Sequence, residues 1–132
     1  MPIRLMLVEC SVGLVQEIFF VFVRSLTVTI AVELVVAALL FHIRDARRLL
    51  VVALAQVATN PLVVYLSLLA AGLTQDFVLY YIAVGFLELS AIVVESILYR
   101  ITYRFKRPVE LSLVANTCSF ASGFLLHTVF SL

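Results

Sequence analysis

The chain has 132 residues, of which 64% are hydrophobic and 13% charged, with a net charge of +1 and a mean hydropathy of +1.20. A soluble domain carries about a quarter charged residues to cover its surface, so this composition excludes a water-soluble fold. The balanced charge leaves no footprint for nucleic acid. Cys10 and Cys118, each alone in an apolar segment, form neither a disulfide framework nor a cysteine metal site and read as buried thiols.

Residues 3–23 are apolar enough to enter lipid yet contain Glu9, Gln16 and Glu17, and no small-residue cleavage pattern follows them. They read as mature protein and not as an export signal. No Gly or Pro separates them from the next segment near Arg24. A single helix over residues 3–43 would measure about 60 Å, twice the roughly 30 Å hydrocarbon core. The expectation is therefore a separate unit, residues 1–24, forming an interfacial or oblique amphipathic helix.

Four later segments each supply the roughly 20 mostly apolar residues a spanning helix needs: residues 25–43, 49–71, 77–99 and 109–130. The first carries Glu33 and is closed by Arg44, Arg47 and Arg48. The second contains Thr59-Asn60-Pro61 near its middle, where proline removes a backbone donor and predicts a kink that frees carbonyl groups. A polar turn over 72–76 leads into the third, which carries Glu88 and Glu95. Arg100, Arg104, Lys106 and Arg107 precede the fourth, which carries Ser112, Asn116, Ser119 and Gly123.

The predicted fold is thus an all-α integral membrane protein, with a four-helix transmembrane bundle over residues 25–132 made of two parallel-related hairpins. Basic residues concentrate in cytoplasmic loops. This places 44–48 and 100–107 in the cytoplasm of a multi-pass protein of the cell membrane, and 72–76 outside. Tyr80, Tyr81, Tyr99 and Tyr103 read as an aromatic belt, with His42 and His127 as interface residues at opposite ends. Each hairpin runs glutamate, basic loop, asparagine: Glu33 to Asn60 and Glu88 to Asn116, at nearly the same interval. That pattern suggests a parallel internal repeat about an axis along the membrane normal.

Ionisable residues inside a span are costly, face the bundle interior and mark functional sites. Glu88 and Glu95 share one helix face, as do Ser112, Asn116 and Ser119; Gln56, Asn60 and Ser67 form a stripe on the second span, and Thr29 and Glu33 on the first. Lipid solvates none of these groups, so the stripes should converge. The expected ion- or substrate-binding set is Glu33, Asn60, Glu88, Glu95, Ser112, Asn116 and Ser119, with Glu88, Glu95 and Asn116 as candidate metal ligands. Carboxylate and amide oxygens suit a hard cation such as Mg²⁺, Ca²⁺ or Na⁺. Without one, three acids that have no Lys or Arg at their depth require protons.

The leading functional expectation is a cation- or proton-linked transporter, channel or ion-coupled subunit, working as a homo-oligomer or within a membrane complex because four helices enclose little space. The rival is a non-catalytic scaffold whose polar residues only fasten helices. A lipid-modifying enzyme comes third, since the chain shows no catalytic triad order, zincin motif, phosphate-binding loop or dinucleotide fingerprint. The topology is testable in a protein with Cys10 and Cys118 replaced. Single cysteines at Asp45 and Thr74 should react with an impermeant thiol reagent from opposite sides of the membrane, and labelling of both from one side refutes the four-span arrangement.

Overall fold

The computed structural model describes residues 3–130, with side chains described from 9 to 129. It comprises four helices: α1 (Ile3–Leu39), α2 (Ala46–Leu73), α3 (Phe77–Tyr103) and α4 (Pro108–Phe130). All four are long and apolar enough to cross a bilayer. α1 packs on α2 and α4, and α3 packs on the same two, whereas the diagonal pairs do not approach each other. The result is an up-down-up-down square.

Local chemistry sets the boundaries. Asp45 and Asp76 cap α2 and α3 by accepting the backbone N–H of Arg47 at 3.1 Å and of Val78 at 2.8 Å. An aspartate oxygen satisfies one of the orphan donors of a first helical turn, which is why α2 begins at Ala46, ahead of the apolar run at residue 49. α1 ends at Leu39, short of the expected residue 43. α2 remains helical through Pro61, so the expected kink does not interrupt the helix.

The expected division at residues 24 and 25 has no counterpart in the backbone, because α1 runs through it unbroken. The physical reason is the one the sequence shows: no glycine or proline stops the helix there. At 1.5 Å per residue α1 is about 56 Å long, and residues 9–21 are exposed along their whole length, projecting past the bundle. Cys10 is exposed and Cys118 half-buried, so neither is the core thiol expected.

The ends of α1 and α3 are built alike. His42 and Arg104 both adopt the left-handed conformation, with φ of 54° and 46°. The next residue in each case returns its N–H to a carbonyl in the last helical turn: Ile43 to Ala37 at 3.0 Å and Phe105 to Tyr99 at 3.4 Å. A left-handed residue at the cap turns the chain so that the apolar residue beyond it packs back on the helix. Ile43, Ala37, Phe105 and Tyr99 are all buried in one core cluster. The interval from His42 to Arg104 also separates Glu33 from Glu95. On α2 and α4 a slightly shorter interval relates the buried Val52, Ala55, Gln56 and Thr59 to the buried Ser112, Ala115, Asn116 and Ser119. The register therefore matches Glu33 with Glu95, and not with Glu88 as the glutamate-to-asparagine spacing suggested. Glu88 lies two turns further out, about 10 Å along α3.

Burial is the reverse of a water-soluble bundle. Large apolar side chains such as Leu73, Phe77 and Phe86 face outward, while Glu33, Gln56, Glu95, Ser112 and Asn116 lie inside. The core fills the half of the bundle nearest the basic loops. A deletion of residues 2–20 removes only projecting turns and leaves about 29 Å of α1. The truncated protein should insert with its loops on unchanged sides by the same thiol labelling, and inverted loops would show that the extension sets the topology.

Candidate functional site

The core stripe of each helix carries polar groups at one level of the bundle. Glu95 of α3 is fully buried, and its carboxylate faces four donors. Oε1 accepts from Gln56 Nε2 at 2.8 Å and from Thr59 Oγ1 at 2.8 Å, both on α2. Oε2 accepts from Ser112 Oγ at 3.0 Å and from Asn116 Nδ2, both on α4. Spacings of three and four residues put each donor pair on one helix face. The carboxylate thus ties three helices together.

The fourth helix joins through Gln56. Its amide has two protons; one is donated to Glu95 and the other to Oε2 of Glu33 on α1. Glu33 is also fully buried, and its Oε1 has no hydrogen-bond partner. Two carboxyl groups therefore share one amide in a dry interior and repel each other across it. Tyr99 lies one turn beyond Glu95, wholly buried beside the cluster with its hydroxyl unpartnered. It is a floor residue and not part of an aromatic belt.

Both hydroxyl donors to Glu95 also have a backbone acceptor within reach. Thr59 Oγ1 lies 3.0 Å from the carbonyl of Ala55, and Ser112 Oγ lies 3.1 Å from the carbonyl of Ile92. A hydroxyl carries a single proton that rotates to suit its neighbours. Each can serve the carboxylate or turn to the backbone, so the site remains satisfied whether Glu95 is charged or neutral.

On the side away from the basic loops, the bundle holds a cavity of about 460 Å³. Gln56, Thr59 and Asn116, which contact Glu95, line its inner end, and Val21, Tyr80 and His127 line its outer end. Glu88 faces this space and is half-buried. Asn60 also lines it but bonds to α1, donating to Thr29 Oγ1 at 3.0 Å and accepting from Ser25 Oγ at 3.3 Å. Ser119 lines it as well and donates to the carbonyl of Asn116 at 3.0 Å.

The expected residues thus divide into two groups. Glu33, Glu95, Ser112 and Asn116 meet in one hydrogen-bonded cluster, while Glu88, Asn60 and Ser119 stand along the cavity leading to it. Arg24 lines the same cavity, nine residues before Glu33 on α1. Of the three candidate metal ligands, Asn116 donates its NH₂ to Glu95, whose oxygens face donors, and Glu88 bonds to neither. Among the described residues no group of three His, Cys, Asp or Glu side chains is placed to hold a metal ion. Sequence reasoning set Gln56 on a polar stripe without giving it a role, and missed Thr59. The signal for both was available, since Val52, Ala55, Gln56 and Thr59 fall on one helical face.

Comparison of the chain with protein-family models, with curated proteins and with solved structures gives no match.

Replacing Gln56 with Leu removes the donor that both carboxyl groups share and leaves them facing each other. An orphaned buried acceptor costs about 1–3 kcal/mol. Q56L should therefore unfold at lower temperature in detergent, whereas N60A, which loses only contacts with α1, should lose less. Equal losses would show that the shared amide has no special place.

Proposed function

We propose that this chain is a multi-pass protein of the cell membrane in which the Glu33–Gln56–Glu95 cluster binds and releases a proton. In this reading the basic loops 44–48 and 100–107 face the cytoplasm, so the cavity opens to the outside. The protein then serves as a proton-linked transporter, channel or ion-coupled subunit. The observation that carries the reading is the pair of dry carboxyl groups sharing one amide at the inner end of a one-sided cavity.

Two negative charges buried beside one another at low dielectric are not tolerated without compensation. No basic side chain contacts the pair among the described residues, and Glu95 has no acceptor position left open to a cation. A proton is the smallest charge that satisfies the geometry. Glu33, with one oxygen unpartnered, is its holder, while Glu95 remains the carboxylate its four donors solvate. When the proton moves to Glu95, Thr59 and Ser112 turn to the carbonyls of Ala55 and Ile92. Mg²⁺, Ca²⁺ and Na⁺, which the oxygen-rich composition also suits, are placed second on this geometry.

The cavity ends at Gln56, Thr59 and Asn116, and beyond it Tyr99, Leu111 and Val52 are packed without exposure. Passage to the other face therefore requires a conformational change or a second subunit, in keeping with a homo-oligomer or membrane complex. A scaffold function is the second reading, favoured by the bonds from Glu95 to two neighbouring helices, since such bonds fasten helices at about 0.6 kcal/mol each.

Infrared difference spectroscopy in proteoliposomes separates the two. The proton reading predicts the C=O stretch of a neutral carboxylic acid in the native protein, lost as pH rises, absent in E33Q and unaffected by Mg²⁺, Ca²⁺ or Na⁺. A cation that abolishes the band at constant pH would transfer the site to metal binding. A spectrum that never changes with pH, with E33Q and E95Q equally stable, would leave the scaffold.

A further inference from the structure

Glu88 belongs to neither set of bonds just described. Among the described residues it accepts no hydrogen bond and forms no ion pair, although it is half-buried. Its equivalent in the first hairpin, by the interval that relates Glu33 to Glu95, is Leu26. A carboxylate present in only one hairpin, and bonded to nothing, does not fasten the fold.

Its surroundings point to a ligand. Besides the interior cavity, Glu88 lines a second space of about 250 Å³ between α3 and α4. Tyr81, Val84, Gly85, Ile92 and Phe120 give that crevice an apolar wall, with Asn116 and Thr117 as its other polar groups. Glu88, Asn116 and Phe120 line both spaces. The carboxylate thus stands at a lateral opening between the bundle interior and the outer surface of the helices. Arg24 lines the interior cavity but not the crevice.

We propose that the α3–α4 crevice binds a lipophilic organic monocation, such as an alkyl quaternary ammonium, that enters from the bilayer and sets its charge against Glu88. The inference rests on the bilayer placement of the helices but not on the proton reading of Glu33 and Glu95. Depth selects the occupant. Glu88 lies about 17 Å from the start of α3, near the middle of a roughly 30 Å core. An occupant that meets Glu88 at this depth has to bring an apolar body to fit the wall of the crevice and a positive charge to match the carboxylate. Tyr81 and Phe120 are the aromatic residues of the wall, a residue type that attracts such a charge, and Glu88 is the one acidic residue of the crevice.

The experiment is photo-crosslinking in proteoliposomes with a diazirine-bearing alkyl trimethylammonium, the adducts being mapped by mass spectrometry. Adducts should fall on Tyr81, Val84, Thr117 and Phe120, saturate, and be displaced by the unlabelled ammonium. E88Q should label roughly tenfold less at equal probe, the loss expected when one charge of a desolvated pair is removed. Glu88 makes no bond, so E88Q should keep the native melting temperature. G85F tests the crevice from its wall: a Cβ at Gly85 meets nothing within 4 Å, and the ring added beyond it should block labelling. E33Q and E95Q should label as the native protein does, which separates this site from the proton site. Equal labelling by an uncharged alcohol analogue, unchanged labelling of E88Q, or adducts spread over all outward faces would each overturn the proposal.

Discussion

A buried carboxylate has to be solvated by the protein that buries it, and in this chain that requirement falls on Glu95. The oxygens of one side chain face donors from α2 and α4, at positions that only correct axial register and rotation of both helices supply. Sliding α2 by one turn would put Val52 and Ala55, or Asn60 and Val63, in the places of Gln56 and Thr59 and break this match. The apolar exterior has no such preference, because one outward-facing leucine is equivalent to the next. The register of the bundle is therefore set from the inside, by a polar cluster, and not by hydrophobic burial as in a water-soluble protein.

The near-repetition of the two hairpins explains why two acids meet. Equivalent left-handed caps end α1 and α3, so Glu33 and Glu95, equally spaced from those caps, arrive at the same depth. Gln56 and Asn116 occupy equivalent places, and each donates to the glutamate of its own hairpin. They differ by one methylene. Gln56 also spans to the glutamate of the other hairpin, whereas Asn116 gives its remaining proton to the carbonyl of Ser112 at 2.9 Å. Glu95 also has the hydroxyls of Thr59 and Ser112, whereas the place equivalent to Ser112 in the first hairpin is Val52 and Glu33 keeps one oxygen without a partner.

The bundle is closed at one end and open at the other for a related reason. Near the basic loops, Tyr99 stacks on Phe105 with ring centroids 5.2 Å apart, and the guanidinium of Arg48 lies 5.9 Å from the centre of the Phe105 ring. Large side chains fill the space between all four helices there. Beyond the cluster the inward positions are small or polar, Thr29, Asn60, Ala91, Ser119 and Gly123, and a cavity remains between them. Access to the carboxyl pair is consequently from one side.

The sequence by itself determined the class of the protein: four helices of spanning length and three short connections. Both follow from local quantities, the length of apolar runs and the capping preference of aspartate, which need no partner to be read. It also determined that the polar stripes of Glu33, Glu95, Ser112 and Asn116 face inward, because helical periodicity and the cost of polar groups in lipid leave them no other place. What it left open was which stripe residue meets which. The interval from glutamate to asparagine paired Glu33 with Glu88, yet α1 and α3 are aligned by their C-terminal caps, and left-handed caps at His42 and Arg104 leave no glycine signature. The role of Gln56 was likewise invisible, since an amide bridging two carboxyl groups exists only once α1, α2 and α3 are side by side. Tertiary packing alone decided that Glu95 is enclosed, Glu33 half-solvated and Glu88 unpartnered, three environments for one residue type that spacing along the chain does not distinguish.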